Sequence, residues 1–137
     1  MNPIELIRWI GISHLLQPPL TLLLASERVL DLRRSFAVES RLAAAILRNM
    51  AIASVALPTA LGLLLARNAE RALEPGAARE LALFVAVFWS WRLYRQVITL
   101  RAVWPGQPAC SRHLHRLLIV IFVLQGPVLG ILLCARG

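Results

Sequence analysis

The sequence predicts an all-α, polytopic integral membrane protein: a bundle of four transmembrane helices joined by short loops. Three observations carry that expectation. Hydrophobic residues fill 58% of the 137 positions and charged residues only 16%, whereas water-soluble domains are about 45–50% apolar. Mean hydropathy is +0.68. The apolar residues also fall into four runs, at 3–25, 42–66, 81–100 and 117–134. Each has close to the ~20 residues that a helix needs to cross a bilayer at ~1.5 Å per residue.

The first run opens on Glu5 and Arg8 and stays apolar to Ala25. It lacks the short core and cleavage site of a signal peptide, so it is expected to be retained as a span. The second is rich in alanine and holds Pro58. The third contains WSWRLYRQ, which sets Arg92 and Arg95 where hydrocarbon is expected. The fourth contains QGPVLG, with Gly126 and Gly130 in a G-x-x-x-G spacing that suits close helix packing and hints at a homo-oligomer. The connections, SERVLDLRRSFAVES, RNAERALEPGAARE and a loop with WPGQPACSRHLHR, are too short for a second domain. The chain therefore reads as one domain, 1–137.

All 15 basic residues are arginine, and the formal net charge is +8. They are spread over loops and helix ends without a basic tail, which suits membrane topology and argues against a nucleic-acid partner. Loops one and three carry seven: Arg28, Arg33, Arg34, Arg41, Arg101, Arg112 and Arg116. The other face carries five: Arg8, Arg67, Arg71, Arg79 and Arg136. The positive-inside rule then places loops one and three in the cytoplasm and both termini outside it. The expected location is a bacterial inner membrane.

Arg92 and Arg95 need an explanation. A central arginine costs ~2.5–3.5 kcal/mol to insert, and each Leu, Ile, Val or Phe returns only ~0.3–0.6. The third run is thus a marginal span on its own, and its arginines are expected to face the other helices. At about 100° per residue, Phe88, Arg92, Arg95, Gln96 and Thr99 share one side. Counted from the loop-one and loop-three face, Arg48 and Arg95 lie about 9 Å deep, Arg92, Gln125 and Gln17 about 12 Å, and His14 about 16 Å. All four helices contribute a polar group near one depth. The candidate ligand-binding set is Arg48, Asn49, Arg92, Arg95, Gln17, Gln125 and His14.

Two uses of this layer are open. Pro18, Pro19, Pro58 and Pro127 strip the carbonyls of His14, Leu15, Ser54 and Val123 of their helical donors, and arginine or amide donors would satisfy them. Alternatively, the arginines line a cavity and bind an anion. Planar guanidinium groups suit carboxylate and phosphate, and no carboxylate lies in the interior of the runs: Glu5, Glu39 and Glu80 are all at run ends. That absence argues against a cation-coupled antiporter. The expected partner is a membrane lipid or another anionic amphiphile. The chain would act as a carrier, a channel or an accessory subunit of a membrane complex.

No metal site, P-loop or nucleophile elbow is present, and the catalytic residues remain unassigned. His14 lies too far in depth from His113 and His115 for paired haem ligation, so no cofactor is expected. Cys110 and Cys134 are separated by a helix about 27 Å long, beyond the ~7 Å reach of a disulfide.

Glu27-Arg28 in the first loop, Arg92-x-Tyr94 in the third run and the four-span layout resemble the membrane-associated eicosanoid and glutathione metabolism family. The asparagine expected after that family's Glu-Arg pair has no counterpart, and position 36 is Phe36. The resemblance implies a trimeric membrane transferase that uses glutathione, an anionic thiol co-substrate, on a lipophilic substrate near the cytoplasmic face.

Overall fold

The computed structural model describes residues 2–25, 41–98 and 109–135, with the side chains at 24, 25, 41–48, 51, 110 and 111 outside that set. Among the described residues every regular element is helical. Helix α1 (Pro3–Ser13) starts on a side-chain cap. Asn2 Oδ1 accepts from the Ile4 N–H at 3.1 Å, and Pro3 sits at the first position, where no backbone donor is needed. A 3₁₀ turn, His14–Leu16, joins α1 to α2 (Gln17–Ala25). Pro18 causes the tightening. It has no N–H for the His14 carbonyl, and the Gln17 N–H takes that acceptor instead. The backbone thus repairs its own loss at His14, without arginine.

Helix α3 (Arg41–Arg67) has 27 residues, enough for about 40 Å. A short 3₁₀ turn, Arg71–Leu73, leads to α4 (Ala77–Ile98). Gly76 makes the entry to α4 possible. Its φ of +145° is disfavoured for residues with a Cβ, and its carbonyl accepts from the N–H groups of Arg79 (3.0 Å) and Glu80 (3.1 Å). The last run comprises α5 (Ala109–Val123), a π-helical segment (Leu124–Val128) and α6 (Leu129–Cys134). A π turn reaches the N–H five residues on, which carries the Val123 carbonyl past the missing donor of Pro127. The exposed thiol of Cys134 is free.

One helical run among the described residues, Arg112–Cys134, is long and apolar enough to cross a membrane, and Ile52–Arg67 is apolar but shorter. Two sequence features set the others apart. The first run is broken at His14–Leu16, and α4 carries Arg79, Glu80, Arg92 and Arg95.

The helices pair in two tight crossings. Gly11 of α1 lies against α3 so closely that a Cβ there would meet Ala66 N at 2.6 Å and the Gly62 carbonyl at 2.8 Å. Gly126 of the π segment lies against α4, where a Cβ would meet Ser90 N at 2.6 Å. Gly130, one turn on, has Ala86 beside it at ordinary contact distance. The G-x-x-x-G spacing is therefore used within the chain. Ser90 fits this crossing by turning its hydroxyl back to the Ala86 carbonyl, 2.8 Å away.

The core lies between these pairs and includes Ile7, Ile10, Leu65, Val85, Trp89, Phe122, Leu129 and Leu133. At the end bearing the N-terminus, Arg8 pairs with Glu70 at 3.2 Å. At that end too, Arg79 Nη2 donates to the Leu133 carbonyl at 3.2 Å, near the C-terminal end of α6.

Candidate functional site

Ser13 and His14 lie four and three residues before Gln17, one turn away across the 3₁₀ segment, so all three fall on one side of the broken first helix. Gln125, fully buried on the π segment, faces them. Gln17 Nε2 donates to Gln125 Oε1, and Gln125 Nε2 donates to Ser13 Oγ at 3.0 Å. Ser13 passes the chain on to the Ile10 carbonyl at 2.6 Å. This relay ties α1 and α2 to the last helical run. Each buried amide that finds partners avoids a desolvation cost of ~1–3 kcal/mol.

His14 is fully buried beside it. Its Nδ1 lies 2.9 Å from the Ile10 carbonyl, and a carbonyl can only accept, so Nδ1 carries a proton. Nε2 and the Trp89 indole N–H are buried, with no hydrogen-bond partner among the described residues. The two rings meet edge-on, with centroids 5.5 Å apart. Trp89 in turn stacks on Phe122 at 5.2 Å and takes Phe88 edge-on at 4.9 Å.

Below this aromatic floor lies a cavity of about 550 Å³ with walls from all four helical runs. Gln17 and Thr21 come from α2, and Met50, Ser54, Leu57 and Pro58 from α3. From α4 come Phe88, Trp89, Arg92 and Gln96, and from α5 Leu118 and Phe122. The cavity exists because α3 packs extensively on α1 and touches α4 only slightly. Gln96 Nε2 donates to His115 Nδ1 at 2.8 Å, which pins that amide beside Arg92. Among the described lining residues Arg92 carries the one formal charge. A second cavity, about 430 Å³ near residues 68–81, has both Arg71 and Glu74 on its wall, so its charges balance.

The sequence-derived set divides accordingly. Gln17 and Gln125 meet, with His14 beside them. Arg92 shares the cavity with Gln17. Arg95 and Asn49 are exposed and stand outside the lining. The side chain of Arg48 lies outside the described residues. Sequence reasoning missed Ser13 and Trp89 as members of the polar layer. The spacing of Ser13 to Gln17, four residues on one helical face, was the available signal for the first. Trp89 carried none beyond its adjacency to Phe88.

Comparison of the chain with protein-family models, with curated proteins and with solved structures finds no match.

Proposed function

We propose that this is a small multi-pass membrane protein whose cavity binds an anionic amphiphile through Arg92, with an amide layer behind it. The observation that carries the reading is a lone guanidinium on the wall of a largely apolar cavity, with no carboxylate among the described lining residues. Such a charge is costly in hydrocarbon unless matched, and an acidic headgroup matches it while its apolar portion lies against Phe88, Leu118 and Phe122. Pockets that hold small molecules have this composition, an apolar wall with a few placed polar groups.

A membrane setting is supported by the outer surface. Phe84, Val87, Trp91, Tyr94 and Ile98 form a stripe along α4, and each is more than half exposed. Soluble monomers rarely leave contiguous apolar patches of this kind in water. In this reading the four runs span the bilayer, with loops one and three in the cytoplasm. A reporter fused after Gly137 is expected to be active on the non-cytoplasmic side.

The binding test is native mass spectrometry of the purified protein. The wild type is expected to retain an anionic amphiphile in preference to a neutral one of equal length, and Arg92→Gln to lose that preference. Equal retention of both by the wild type would sink the reading.

A further inference from the structure

On the anion-binding reading above, the walls of the cavity also indicate where its ligand comes from. The back of the cavity is closed: Gln17 on α2, Trp89 on α4, and Leu118 and Phe122 on α5 are all buried. The rim is open. Among the described lining residues the exposed ones all lie on α3 or α4. Met50 is 61% exposed, Leu57 44% and Trp91 57%, and Ser54 and Arg92 are exposed too. The mouth thus runs along the α3–α4 seam, where the two helices touch only slightly.

What borders a mouth decides what can pass it. Met50 and Leu57 are seven residues apart, an apolar bank about 10 Å long on α3. The Ser54 hydroxyl between them donates to the Met50 carbonyl at 2.8 Å, so its proton is spent within its own helix. Beyond the mouth the apolar surface continues in Ile52 on α3 and in Phe84, Val87 and Tyr94 on α4, each more than half exposed. Such a border cannot replace the hydration shell of a free ion, and it suits an acyl chain. Arg92 interrupts it at one level. It lies six residues, about 9 Å, before the end of α4 at Ile98, and Phe88 lies one turn further in. A lipid of the leaflet on that side carries its headgroup outward and its chains inward, in the same order as Arg92 and Phe88.

We infer that the cavity is loaded sideways: its mouth lies between α3 and α4 within hydrocarbon, and the anion that meets Arg92 is the headgroup of a lipid drawn from the bilayer, not a solute taken from water.

The test uses the full-length protein carrying Cys110→Ser and Cys134→Ser, reconstituted in vesicles of phosphatidylcholine and phosphatidylglycerol. A nitroxide is attached after Ser54→Cys, at the mouth, or after Glu74→Cys, at an exposed position in the turn before α4. Its collisions are read with oxygen, which partitions into lipid, and with a nickel chelate kept in the water on both sides. At Ser54→Cys oxygen is expected to collide freely, and the chelate at least tenfold less often than at Glu74→Cys. Chelate collisions equal to those at Glu74→Cys, or a label that neither reagent reaches, overturn the sideways mouth. In a second arm, chain-labelled phosphatidylglycerol is expected to be immobilised by the protein more than chain-labelled phosphatidylcholine. Glycerol phosphate in the water should leave that difference unchanged, and Arg92→Gln should remove most of it. Displacement by glycerol phosphate assigns the site to a water-borne anion and overturns loading from the bilayer, while anion binding at Arg92 stands. A difference that survives Arg92→Gln, or no difference at all, overturns both.

Discussion

Helix α3 makes two seams, and they are built on opposite plans. Against α1 it presents Gly62 and Ala66, with backbones so close that Gly11 has no room for a Cβ. Towards α4 it presents Met50, Ser54 and Leu57, and the helices stand apart around a cavity. The first seam shows what closing two helices demands: small residues and no charge. The second shows what keeping them apart allows, a guanidinium that shares its space with aromatic rings. Difference in side-chain size along a single helix is enough to separate a packing face from a cavity wall.

Substitutions can break either seam. The largest effect is expected at the tight crossings. Gly126→Leu would drive a branched side chain into the α4 backbone at Ser90 and cost about 3 kcal/mol or more, seen as a collapse of the thermal unfolding midpoint in detergent. Unchanged unfolding would mean that the crossing is loose. Next comes the amide relay that holds the halves in register. Gln17→Leu leaves the buried Gln125 oxygen without its donor and should cost about 1–3 kcal/mol. Adding Gln125→Leu should recover part of the loss, and strict additivity of the two would show that the amides do not act as a pair.

At the open seam the expected effect is on binding. Arg92→Gln should lower ligand affinity about tenfold, equivalent to about 1.4 kcal/mol, with the unfolding midpoint nearly unmoved. A large fall in stability would instead assign Arg92 to packing. The smallest effect belongs to Arg8→Ala. Its ion pair with Glu70 is well exposed at both partners, and such pairs contribute about 0–1 kcal/mol. A loss well above that would mean this end of the bundle depends on the pair.

The sequence made the helices legible because apolar runs and proline positions are local signals. The expected runs at 42–66 and 117–134 lie within helices at 41–67 and 109–134. The run at 81–100 begins earlier, at Ala77, because Gly76 supplies the turn and the first carbonyl acceptor. Depth arithmetic also brought Gln17 and Gln125 to one level, where they meet. Rotation about each axis was harder to read. Arg92 and Arg95 are about 60° apart on a helix wheel, and three residues decide that one borders the cavity while the other does not. The glycine pair, read as a hint of self-association, serves an internal crossing, and spacing alone does not name the partner helix. Where the freed carbonyls go was also beyond local pattern. At His14 the next available N–H takes the acceptor, a rearrangement of backbone rather than of side chains.

The π-helical segment at Leu124–Val128 has a consequence for how this chain tolerates change in length. A wider turn accommodates one more residue than the α-helical path through the same height, so both Gln125 and Gly126 point inwards from adjacent positions. Removing a single residue there would return the run to ordinary winding and swing everything beyond it by about 100°. Leu129 and Leu133 would leave the interior, and Arg79 would lose the carbonyl it holds. At this turn the chain counts its residues.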